Sequence, residues 1–200
     1  MAKKRATKSN LTQSQYGVGY VGDVKIAIKK QGKTIRKMET HNSGTVWLFD
    51  GIAQFLSGAF TNMLNNSSNY LPKYLGVGVQ AAPSATDPLM ESLEREYDIG
   101  ERIRLDIGNV KLDITTKSIV LPITGLITHD MINDWDVFPI TELGLFPTSG
   151  INSGKMLARV LIPSLGDSEA QGLKLGQGES ATIQWDLVVQ NTLISSESEV

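Results

Sequence analysis

Three segments in the C-terminal half constrain the fold most: Ile140-Thr-Glu-Leu-Gly-Leu-Phe146, Lys155-Met-Leu-Ala-Arg-Val160 and Ile183-Gln-Trp-Asp-Leu-Val-Val189. Each is short, apolar and bounded by Gly/Ser/Asn-rich stretches, so each reads as a strand between turns. The last alternates apolar and polar residues through Leu187, the period of a strand with one face in a core. Nothing in or around them has the residue types of a reaction centre. A chain that closes on such strands reads as scaffold.

The rest of the chain extends this pattern. Val24, Ile26 and Ile28 alternate with Lys25, Ala27 and Lys29, Gln31-Gly32 supplies a turn, and Thr34–Met38 returns as a second strand. Tyr74-Leu-Gly-Val-Gly-Val79 is a short strand whose glycines predict the close approach of another backbone. Gly108-Asn109 predicts a two-residue hairpin turn. Pairing about it sets Ile107 opposite Val110, Leu105 opposite Leu112 and Ile103 opposite Ile114 on one face. The other face then matches Asp106 with Lys111 and Arg104 with Asp113. Ser118–Thr128 is a further strand, in which Pro122 predicts an edge or a bulge. Residues 81–88 form a loop, and residues 89–97 suit a short helix or an extended crossover equally.

One helix is expected, over residues 46–60, with Leu48, Ile52, Phe55, Leu56, Ala59 and Phe60 spaced by threes and fours and Ser43 or Thr45 as its cap. Roughly eight strands and one helix suit a mainly β chain, an antiparallel β-sandwich or jelly-roll-like domain. The expected organisation is a flexible basic arm over residues 1–20, a single β-sandwich-like domain over residues 21–192 including helix 46–60, and a disordered Ser/Glu-rich tail over residues 193–200.

With 200 residues, 40% of them hydrophobic, the chain can bury one sizeable core. It has no cysteine, which removes disulfides, thiolate nucleophiles and zinc–sulfur sites. No apolar run reaches the roughly 18 residues of a membrane span, and no apolar segment follows the charged start Met1–Arg5, so neither a membrane anchor nor a signal peptide is expected. The net charge of −2 hides an asymmetry. Residues 1–37 carry ten Lys/Arg against the single Asp23, a net +9, whereas residues 38–200 carry a net −11. Opposite charge on two parts of one chain favours contact between copies, or between the arm and another acidic surface. A solvated basic hairpin is the plainer alternative, and contact with DNA phosphates the less favoured one. Lys3, Lys4, Arg5 and Lys8 of the arm are therefore interface candidates.

Chemistry finds little footing. His41 and His129 are the only histidines, and no Gly-x-Ser-x-Gly elbow is present, so a Ser-His-acid triad is not expected. The acids Glu91, Glu94, Glu96, Asp98 and Glu101 read as a solvated face rather than a glycosidase pair. In the loop at 130–136, Asp130, Asn133, Asp134 and Asp136 offer oxygen ligands of the kind calcium takes, but at the wrong spacing for an EF-hand. A turn in which they bond their own backbone is the preferred reading. Gly76-Val-Gly78 and Gly176-Gln-Gly178 complete no nucleotide fingerprint. No catalytic, cofactor-binding or metal-binding residue is assigned, and no cofactor is expected. Trp185, on the apolar side of its strand, reads as core. Trp135, in an acidic loop, is less easily explained by folding and is read as touching a neighbouring subunit.

The order of these motifs carries a resemblance. A hairpin precedes the helix Trp47–Phe60, then come Tyr74-Leu-Gly-Val-Gly-Val79, Thr86-Asp-Pro-Leu89 and Leu93-Glu-Arg-Glu96. Ile140-Thr-Glu-Leu-Gly-Leu-Phe146, Met156-Leu-Ala-Arg-Val160 and Gly178-Glu-Ser-Ala-Thr-Ile-Gln-Trp-Asp-Leu187 close the series. Over about residues 40–190 it resembles structural proteins of tailed-bacteriophage virions, of the tail, neck, baseplate and capsid accessory types. The resemblance implies a non-enzymatic protein of the virion, assembled in the bacterial cytoplasm in many copies. Its partners would be other copies of itself and other virion structural proteins, with no membrane involved. A capsid decoration or head-fibre protein is the alternative within this class, and a carbohydrate- or receptor-binding β-sandwich the alternative outside it.

Overall fold

Gln31 and Gly32 both take positive φ (50° and 77°), the backbone of a tight two-residue hairpin turn. In the computed structural model, which describes residues 18–56, 70–115, 118–163 and 172–191, this turn joins the strands β1 (Val18–Lys30) and β2 (Lys33–Gly44). The expected hairpin is present and longer than its apolar alternation marks. β1 begins at Val18, so the last three residues assigned to the arm belong to the sheet. Residues 1–17, the stretch 57–60 of the expected helix and the tail at 193–200 lie outside the described residues.

Helix α1 (Val46–Leu56) follows, then β3 (Tyr74–Gly78), β4 (Ile103–Arg104), β5 (Asp106–Ile107), β6 (Lys111–Asp113), β7 (Ser118–Thr128), β8 (Glu142–Phe146), β9 (Ala158–Leu161) and β10 (Glu179–Asn191). The chain is mainly β and antiparallel. Its strands form one sheet in the order β4-β3-β8-β9-β2-β1-β10-β7-β5, with β6 also on β7. β2 turns the corner: most of it pairs with β1, while Ser43 and Gly44 pair with Arg159 and Ala158 of β9. β4 and β5 lie at opposite ends of this order, yet only Leu105 separates them in sequence. Leu105 is buried and donates its backbone N–H to the Lys73 carbonyl at 2.9 Å. One residue thus draws the two edges together into a nearly closed barrel.

The core fills this barrel. Val24, Ile26, Ile28, Ile123, Ile127, Leu143, Leu145, Ile183 and Trp185 are buried, the inward positions of the strands predicted by alternation. A smaller cluster of Leu93, Phe146 and Met156 lies beside it.

The hairpin expected about Gly108-Asn109 does not form. Asp106 and Ile107 pair with Thr124 and Ile123 of β7, and Lys111, Leu112 and Asp113 pair with Val120, Ile119 and Ser118 of the same strand. The register advances by one residue between the two stretches, so β5 and β6 are one edge strand interrupted by a bulge at 108–110. The chain reverses after Asp113 instead. The eleven-residue β7 offers a longer ladder than the local hairpin, and this path takes Leu105 into the core. Pro122 sits opposite the bulge: its carbonyl accepts the Gly108 N–H at 2.8 Å, so its missing N–H falls on the interrupted side and leaves the β7–β10 ladder intact.

Thr45 occupies the N-cap position of α1, since its carbonyl accepts the Leu48 N–H at 3.1 Å, but its hydroxyl does not cap. That hydroxyl donates instead to the carbonyls of Met156 and Leu157, tying the helix start to the approach of β9. Residues 89–97 are an extended crossover that touches β3 through a Gly78–Glu96 bridge.

Candidate functional site

Two buried arginines organise the crossover. Arg159 on β9 and Glu142 on β8 are both fully buried. Arg159 Nε donates to Glu142 Oε2 at 2.7 Å, Nη1 to the Ser84 carbonyl at 3.0 Å, and Nη2 to Glu94 Oε1 at 3.1 Å. Glu142 Oε1 accepts the Glu94 N–H at 3.0 Å. Arg102 grips Glu96 with two parallel bonds of 2.6 and 2.9 Å, donates to the Ser153 carbonyl at 2.6 Å, and stacks over the Phe146 ring at 3.4 Å. The acids at 91–101 are therefore not simply a solvated face. Glu94 and Glu96 turn inward onto guanidinium groups, and Glu91 pairs with Lys155. Sequence reasoning missed this site because the partners are remote: Arg159 lies 65 residues from Glu94.

Electrostatics follow the geometry. The Ser84 hydroxyl, with the Ser84 N–H and the Arg159 guanidinium adding to it, holds the Glu94 carboxyl below its usual range against the opposing effect of burial. The glycines of β3 serve the same cluster. A Cβ on Gly78 would collide with the Glu142 side chain, and one on Gly76 would lie 2.7 Å from Glu96 Oε1 and 2.8 Å from Phe146. Side chains, not the expected backbone, fill the space these glycines leave.

The loop after β7 opens with a 3-10 turn, His129–Met131. Asp134 Oδ1 accepts the N–H groups of Asp136 and Val137 at 3.1 and 3.2 Å, the turn predicted for this loop. Asp136 pairs with Lys174 at 3.1 Å, while Asp130 is exposed beside His129. No group of three His, Asp or Glu residues placed to hold a metal ion occurs among the described residues. Trp135 is a core residue: it is 8% exposed, and its Nε1 donates to the His129 carbonyl at 2.8 Å. Folding accounts for this side chain, which corrects the premise that made it an interface candidate. His41 Nδ1 lies 2.7 Å from Asp23 Oδ1 on the exposed side of β1–β2, and neither histidine is bonded to a serine hydroxyl among the described residues.

What the hairpin does present is charge. Lys25, Lys30, Lys33, Arg36 and Lys37 are exposed and Lys29 is half-buried. Only Lys30 has a carboxylate within 4.0 Å among the described residues, that of Glu179 at 3.8 Å. Of the other five, Lys25 sits opposite Glu39 on the ladder and Arg36 lines a cleft with Asp134, Asp136 and Glu179, while Lys29, Lys33 and Lys37 form a cationic rim with no carboxylate within 4.0 Å among the described residues. The other predicted interface residues, Lys3, Lys4, Arg5 and Lys8, lie outside the described residues.

No protein-family model, no curated protein and no solved structure matches this chain. Among the described residues no helix is long and apolar enough to cross a membrane.

Proposed function

We propose that this chain is a non-enzymatic structural component of a tailed-phage virion, present in many copies in the tail, neck or collar, or baseplate. The observation that carries the reading is the cationic rim of β1–β2, where Lys29, Lys33 and Lys37 have no carboxylate within 4.0 Å among the described residues, on a chain whose residues 38–200 total −11. Such a rim seats against an acidic surface, and the acidic remainder of another copy provides one. The buried clasps of Arg102 and Arg159 suit the same role, because their carboxylates are spent on holding a crossover rather than facing solvent.

The test is the mass of the purified chain by light scattering, with negative-stain imaging, at low and high salt. Multicopy assemblies that dissociate in high salt, and that fail to form in a Lys29→Gln/Lys33→Gln/Lys37→Gln variant, support the reading. A species of the same small mass in both salts and both proteins contradicts it.

A further inference from the structure

The outward face of β1 and β2 carries acids as well as the cationic rim, and the two are placed with a regular polarity. Val24, Ile26 and Ile28 point into the core, so Asp23, Lys25, Ala27 and Lys29 point out. Across the ladder His41, Glu39 and Lys37 stand beside Asp23, Lys25 and Ala27. The register shift beyond Ile28 skips Ile35 on β2 and leaves Lys29 in step with Ser180 of β10, so Lys29 keeps the outward face. On each strand the base lies nearer the hairpin turn and the acid further from it: Lys29 and Asp23 on β1, Lys37 and Glu39 on β2. Among the described residues Lys29, Lys37 and Glu39 have no oppositely charged group within 4.0 Å. Asp23 gives one carboxylate oxygen to His41 and keeps the other. Lys25, Lys37 and Glu39 are exposed, and Asp23, Ala27 and Lys29 are half-buried.

We propose that a second copy of this chain stacks face to face on this surface, its strands antiparallel, about a two-fold axis that crosses the sheet at the level of Ile26 and Met38. The ladder then decides what meets. Lys37 faces Glu39 and Lys29 faces Asp23, each twice by symmetry, and the small Ala27 faces Lys25. Stacked sheets lie about 10 Å apart, a gap that a lysine and a glutamate span together. Moving the axis one residue toward the turn sets Lys37 on Lys37 and Lys25 on Lys29. Moving it one residue the other way sets Lys25 on Lys25 and Glu39 on Glu39. Like charges brought face to face oppose both placements, so one register alone is complementary. The inference rests on the multicopy reading above and names the acids that the rim meets, Asp23 and Glu39 of the same face on another copy.

Sedimentation equilibrium of the full chain at low and high salt tests it, using wild type, Lys37→Glu, Glu39→Lys and the variant that carries both changes. Wild type associates in low salt and at least about tenfold more weakly in high salt, because exposed charges are screened. Each single reversal sets like charges together twice and weakens association at least about tenfold. The double reversal restores it, since the exchanged lysine and glutamate meet again across the axis. Glu39→Lys also places a lysine beside Lys25 of its own chain. Should that variant unfold, Lys37→Gln and Glu39→Gln replace the reversals. Each then weakens association, and the two together weaken it no further than either alone, because both remove the same pair. A monomeric wild type overturns this contact and the multicopy reading together. Association of equal strength in all four proteins, or a double reversal no tighter than the singles, overturns the contact alone and leaves the multicopy reading standing.

Discussion

Arg159 and Glu142 meet with neither side chain open to solvent, and the guanidinium reaches on from Glu142 to Glu94 and the Ser84 carbonyl. Breaking one side of a buried pair leaves a charge without its partner, which costs about 3–5 kcal/mol. Glu142→Ala is therefore expected to lower unfolding free energy by that amount in urea denaturation. Replacing both partners, as Glu142→Leu/Arg159→Met, is expected to cost less than the two single changes summed.

Gly78 and Glu142 are coupled in the same way. Gly78→Ala forces a Cβ into the Glu142 side chain and is expected to destabilise the wild type more than it destabilises a Glu142→Ala background. A double-mutant cycle reads that difference directly, and additive effects would refute the packing relation.

Acid stability has a defined sign at Glu94. Its folded carboxyl titrates below the ordinary value of 4.5, so the stabilisation is present above that value and is lost as pH falls through the lowered folded pKa. Glu94→Gln is expected to lower stability at neutral pH and to flatten the loss on acidification below about pH 4.5. Unfolding curves of the two proteins from pH 7 to pH 3 would show it.

The two buried tryptophans differ in one hydrogen bond. Trp135 Nε1 donates to the His129 carbonyl, whereas Trp185 Nε1 has no hydrogen-bond partner among the described residues. Trp135→Phe loses the bond as well as shrinking the ring and leaves the His129 carbonyl only the Ile132 N–H at 3.4 Å, an added penalty of about 1 kcal/mol. Trp185→Phe carries only the packing term, and comparison of the two by thermal unfolding separates the contributions.

Much of this fold was legible from local pattern. Gln31-Gly32 marked the β1–β2 turn, Ser118–Thr128 coincided with β7, and the alternation through Trp185 gave the inward face of β10. Gly108-Asn109 misled because a turn signal is local, while the partner that competes for the strand, β7, pairs through a longer ladder and a bulge. The acids at 94 and 96 looked solvated because Arg159 reaches Glu94 only once the sheet has formed. Trp135 looked stranded in an acidic loop for the same reason: its pocket is built by the core. The basic segment at 1–37 looked like an arm, yet its second half is β1 and the start of β2. A deletion of residues 1–37 would therefore remove a central strand, and a test of the arm must stop before Val18.

The most direct measurement of the central claim is immunogold labelling, with an antibody raised against the purified chain, of phage particles from a lysate that expresses it. The account predicts gold at one fixed position on the tail, neck or baseplate of intact particles, in several copies. Gold spread over the head surface would move the assignment to capsid decoration. Particles that carry no label, with the chain recovered only in the soluble fraction, would contradict a virion role.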